Sequence, residues 1–422
     1  MCSSDLLKLS AANTYVGVTL ISGGQIIVDN ALALGAVGNT VTVATGGTLN
    51  LGGKTIANVV TLTGGTLTGG DLDIGQLDNA STGLVSATLS GSAGLTKNTT
   101  GSLRLDGLNT FTGDVTVSQG TLVAGHVSAL GAGAVTVSGG TLDLGVTAGL
   151  ANTVTLTGGT ITGGEIAVDK LVLGAGTVAT KLTGSGKLTK TSAGVVTLSG
   201  ANTFTGGADI SGGKIVAGSA TALGGGTTSL TGGTLDLGGQ SLTNAIVVDG
   251  GELTGGTFDV ANLTAKSGTI SALLIGSNVL TKSASGVLTL SGANPGFTGG
   301  VTLGAGTLVV GHAAALGTGP VAVNGGTLNL NDTAISNTVT VAGGTLTGGS
   351  IDAAKVVPTS GTISAVLTGA DGLAKSTAGD VVLSGANTFT GGVTVDSGKV
   401  TLGNAAALGG AANAVTVGRS EE

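Results

Sequence analysis

The 422-residue sequence has one Cys, one Met, three Pro and no Trp, with 1% aromatic and 9% charged residues. A single Cys excludes an internal disulfide and a thiolate metal site. So few aromatics cannot form the two girdles of a membrane β-barrel. No apolar run reaches the ~18 residues that a membrane-spanning helix needs. A net charge of −7 without any basic stripe argues against a nucleic-acid partner. Scarce proline, and glycine without a three-residue period, exclude collagen.

Glycine is abundant, at 84 residues, and 41% of the chain is hydrophobic. Apolar content with so little charge is the reverse of a disordered composition. Glycine, Thr and Val also disfavour helix, the first through backbone entropy and the others through stiffness at χ1. An extended, turn-dense and repetitive chain remains.

The repeat is explicit. The Asn of SGANTFTGG and its variants falls at Asn13, Asn109, Asn202, Asn294 and Asn387. TLxL recurs with Asn50, Asp143, Asp236 and Asn329 as its variable residue, and Lys97, Lys190, Lys282 and Lys375 keep the same beat. The chain is about four and a half copies of a ~93-residue block. Counting Gly-Gly-Thr corners gives four turns per block and about 17 turns in all. Between corners, Val or Leu alternates with Thr, so each short strand has one apolar and one polar face. No such strand persists alone, but stacked turns bury a continuous core. The expected fold is all-β: a single-stranded parallel β-helix, or β-solenoid, with strands of three to five residues. Tyr15, Phe111, Phe204, Phe297 and Phe389 share one position of the block and are expected to plug the core or pack a corner. Pro295-Gly296 adds a residue before Phe297, which predicts a wider turn there.

Both ends depart from the repeat. Residues 1–6 (MCSSDL) and 419–422 (RSEE) resemble one sequencing-adapter sequence translated in opposite orientations. They are expected to be non-native, leaving 7–418 as one solenoid segment from inside a longer reading frame.

Few residues offer chemistry. His126 and His312 are equivalent to Asn30, Ser219 and Asn404, an interchange that fits a polar turn cap. The Asp or Asn of TLxL points outward by period two, as solvated surface. The repeated lysines are expected to be isolated single charges. Asp71, Asp73 and Asp78 form the densest acidic cluster and are the weak metal candidates, as oxygen ligands for Ca²⁺. No catalytic constellation and no cofactor motif is present, so no enzyme and no cofactor is expected.

The phrase SGANTFTGGxVTVSGGTLVAGxxxALGxGxVTVSGGTLDLGG, with GxLTKxxxGxxTLSGANTFTGG from Gly186 to Gly207, resembles the passenger-associated repeats of autotransporters. These are type V secreted surface proteins of Gram-negative bacteria. The resemblance covers residues 7–418. It implies a right-handed parallel β-helix at the bacterial cell surface, serving as a stalk or adhesive passenger segment. A host-surface or matrix ligand would then belong to the parent protein, and the segment itself would not enter a membrane. Two other classes stay open: a β-helical protein that binds or cleaves polysaccharide, and an ice-binding solenoid built on T-x-T ranks such as Thr66–Thr68 and Thr160–Thr162. Uncapped solenoid ends also predict end-to-end self-association of the isolated segment.

Overall fold

The computed structural model describes residues 5–145 and 149–418. The chain forms two compact units, Met1–Gly207 with Thr221–Gly225, and Ala208–Ala220 with Gly226–Glu422. Both are parallel β-solenoids, with about 21 turns between them.

In the first unit, successive turns stack in register. Leu122 pairs with Leu142, Leu142 with Ile161, Ile161 with Val178, and Val178 with Leu198. The second unit repeats the scheme through Leu308, Leu328, Leu346 and Ile363. Every one of these residues is buried. Alternation is the cause: Thr40–Ala44 (TVTVA) buries Val41 and Val43 and leaves its other side chains half-buried. Each fully buried Val, Leu or Ile stabilises its turn by roughly 1.5–3 kcal/mol, and parallel ladders at ~4.8 Å hold the backbone.

The turn count exceeds the expected 17 for an identifiable reason. Doublet corners jump from Gly159 to Gly186, but the ladder Ile161–Val178–Leu198 inserts an additional turn. That turn bends at Gly176, a single glycine with φ +123° flanked by Ala175 and Thr177. In the second unit Gly268, at φ +106°, does the same between Leu253 and Leu290. Each block therefore carries five turns, not four. Some strands also exceed the expected length: Val59–Thr68 and Val115–Ala124 each run 10 residues around a glycine corner without a break.

Once per block a three-residue 3-10 turn interrupts the strands, at Ile74–Gln76, Val168–Lys170, Val260–Asn262 and Ala353–Lys355. Pro295-Gly296 forms the wider turn, closed by the Phe297 N–H donating to the Asn294 carbonyl at 3.1 Å. At the start of the chain, Leu6 pairs with Gln25, so the first strand, Leu6–Leu9, begins inside the stretch expected to be non-native. Of the rest, the Asp5 carbonyl accepts from the Gln25 N–H at 2.8 Å, and 1–4 and 419–422 lie outside the described residues.

Candidate functional site

The residues that repeat once per block occupy distinct corners. At the first corner Phe111, Phe204, Phe297 and Phe389 are fully buried, whereas Tyr15, in the opening turn, is 40% exposed. The Asn two or three residues earlier completes that corner. Asn109 accepts from the Leu89 N–H at 2.9 Å in the turn before and donates to the Ala129 carbonyl at 2.6 Å in the turn after. Asn202, Asn294 and Asn387 make the same two bonds, to Leu182 and Ala222, to Leu274 and Ala315, and to Leu367 and Ala407. One amide thus ties three turns together, with both its acceptor and its donor used.

The second corner is built around a charged residue. Lys97, Lys190, Lys282 and Lys375 are fully buried, one in each block. Each ends a Leu-Thr-Lys or Leu-Ala-Lys triplet with a buried–exposed–buried pattern, which for Lys97 is the start of a longer strand. Period two therefore sends Lys inward beside Leu. The Lys97 ammonium donates to the Thr99 carbonyl and to Thr99 Oγ1 at 3.1 Å. Lys190 repeats this with Ser192, and Lys375 with Thr377. Lys375 also reaches the Ser397 carbonyl of the following turn at 3.3 Å. Lys282 donates to the Ala284 carbonyl and, at 3.3 Å, to that of Ala305. No carboxylate pairs with any of the four among the described residues. Burial pushes the ammonium groups of Lys97, Lys190 and Lys282 below the ordinary lysine range.

The remaining polar repeats are local caps. His126 and His312 each accept a backbone N–H through Nδ1 at 3.1 Å, from Ser128 and Ala314. Asn30 and Asn404 do so through Oδ1, from Leu32 and Ala406. Asp143, Asp236, Asn50 and Asn329 likewise accept from the N–H two residues ahead, at 2.8–2.9 Å. Aspartate and asparagine interchange there because only Oδ1 is used. At Asp236 burial alone would raise the carboxyl, but bonds from Lys214 and the Gly238 N–H, with the Lys214 charge, hold it below its usual range.

The three acidic candidates do not converge: Asp71 and Asp73 share one short strand, Asp71–Asp73, and Asp78 lies apart from it. Asp73 caps the 3-10 turn by accepting from the Gly75 N–H at 2.9 Å, Asp71 is half-buried, and Asp78 is exposed on another ladder, beside Thr61. Among the described residues no three His, Cys, Asp or Glu side chains are placed to hold a metal ion. Arg104 is committed to Asp106 at 2.8 Å. Threonines align over more turns than T-x-T spacing implied, through Thr121, Thr141, Thr160, Thr177 and Thr197, but all five are half-buried.

What repeats is thus architecture: an aromatic-amide corner, a lysine corner and a set of backbone caps. The repeats are those of autotransporter passengers. Residues 6–28, 95–124, 188–217, 280–310 and 373–402 match the passenger-associated-transport-repeat family, and the last four stretches each contain the lysine, the Asn and the Phe described above. The chain is a β-solenoid of the autotransporter passenger repeat family. It is similar to the adhesin BmaC autotransporter of Brucella suis biovar 1 (strain 1330), at 31% identity over 429 aligned residues. The alignment takes in 98% of this chain and 11% of that protein, so the chain spans a small part of its relative's length. No solved structure matches the chain.

Proposed function

We propose that the chain is a display segment of a bacterial surface protein, a non-enzymatic stalk or passenger that supports adhesion from outside the cell. The observation that carries this reading is the use made of its polar repeats. The histidines, the TLxL acids and the corner asparagines bond to backbone of their own or neighbouring turns, so these side chains are spent on stacking. The relative's description as an adhesin supports the same reading. Fusing the segment between an outer-membrane anchor and a known binding domain tests it. Binding domains displayed with the segment should reach immobilised ligand that shorter linkers do not, and equal reach with a flexible linker would overturn the proposal.

The first and last turns present apolar side chains, among them Leu7, Val16, Val18 and Leu20 at one end and Leu402, Val415 and Val417 at the other. The chain is therefore expected to self-associate at these turns. Light scattering that shows only monomer at high concentration would oppose this.

A further inference from the structure

The four buried lysines play no part in the display reading, and their surroundings are unusual. Each ammonium is closed off from water but faces only carbonyl and hydroxyl oxygens. The following turn supplies the lid. A Cβ added at Gly120 would stand 2.7 Å from Lys97 Nζ, one at Gly306 2.6 Å from Lys282 Nζ, and one at Gly398 2.8 Å from Lys375 Nζ. These three glycines have φ of +65°, +70° and +77°, so the lid combines a left-handed turn with a close approach that a side chain would prevent.

We propose that each lysine corner is a parting seam, the place in its block where the following turn lifts first. Lifting the lid gives the ammonium back its hydration while its own turn keeps the nearest carbonyl bond. Only the cross-turn acceptors, Ala305 at Lys282 and Ser397 at Lys375, are lost. At the purely aliphatic rungs, lifting a turn exposes only Val, Leu or Ile to water, which the hydrophobic effect opposes. A buried charge without a counter-ion reverses that preference locally. The seams are also unequal. Thr99, Ser192 and Thr377 each lend the ammonium a hydroxyl, whereas the third copy has Ala284 and lends none. Lys282, left with a long 3.3 Å bond to the following turn in place of a hydroxyl at 2.9–3.1 Å, is the least well bonded of the four when closed, and marks the seam that opens most readily.

Site-resolved acylation of the folded full chain by a water-soluble succinimidyl ester tests this, alongside native-state hydrogen exchange of the Leu288 and Leu308 amides. Lys282 is expected to be labelled through an opening more frequent than the one that exposes those amides, and faster than Lys97, Lys190 and Lys375. Ala284→Thr, which installs the hydroxyl that Thr99 and Thr377 supply, should slow labelling of Lys282 roughly tenfold, as expected for one added bond to a charged group, and leave the other three unchanged. Lys282→Met should slow exchange of the amides in Val301–Leu303. Labelling of Lys282 only through the opening that exposes Leu288 and Leu308 would overturn the seam, and so would unchanged labelling in Ala284→Thr. The labelling comparison in the unaltered chain decides the matter even if a variant fails to fold.

Discussion

Within one block, the Phe–Asn corner and the lysine corner bury polar groups in opposite ways. Asn109 brings a donor and an acceptor, and the turns on either side offer one backbone partner for each. Lys97 brings donors and a net charge, and its corner offers only oxygen dipoles. The difference teaches that a stack of parallel turns is well suited to a neutral amide, which can be passed from rung to rung. It is poorly suited to an ion, because identical backbone rungs contain no counter-charge. Phe111 adds ring burial to the first corner, whereas at the second the charge itself must be desolvated.

The comparison can be broken most forcefully at the aromatic. Phe111→Ala should lower stability by about 3–5 kcal/mol, whereas Tyr15→Ala, at a 40% exposed position, should cost about 1 kcal/mol or less, both read by chemical denaturation. Equal effects would mean that the ring's place in the core does not matter. Asn109→Ala comes next. It strands the Leu89 N–H and the Ala129 carbonyl, and about 2–3 kcal/mol should be lost, with faster exchange at the Leu89 amide.

At the lysine corner the expected effect is smaller and depends on pH. Burial holds the Lys97 ammonium below its ordinary value, so the folded state disfavours the charged form. The associated stability is fully present above the ordinary lysine value of about 10.4 and is lost as pH falls through the lowered one. Relative to Lys97→Met, the native chain should therefore gain stability as pH rises from neutrality towards 10. A gap that is flat or widens over that range would contradict the contrast between the two corners. Smallest of all, His126→Asn should change stability by no more than about 0.5 kcal/mol, because Asn30 and Asn404 already cap equivalent turns.

Much of this was legible in the residues. Alternating Val and Thr between glycine corners requires stacked turns, and the interchange of His, Asn and Ser by itself points to caps. The missed turn was not legible from doublets, because Gly176 bends the chain alone and its position emerges only from the pairing of Ile161 with Val178. The lysine corner was partly legible: Leu188-Thr189-Lys190 alternates, so the lysine shares its face with a buried leucine. The ordinary preference of a charged side chain for water runs against that pattern. The acidic residues show a different limit, since nearness in sequence does not fix nearness in space. Asp73 turned out to be a cap and Asp78 to lie on another ladder.

The one-in-five glycine content, the ~93-residue period and the two-residue alternation by themselves determined that the chain is a parallel β-solenoid. These are local properties, and any chain that has them must stack its turns to bury an apolar face. Only the tertiary structure decided how many turns a block holds, and that its lysine is enclosed under the glycine of the following turn. Both depend on which residue of one turn lies over which residue of the next, and that register is set by the packing of whole turns.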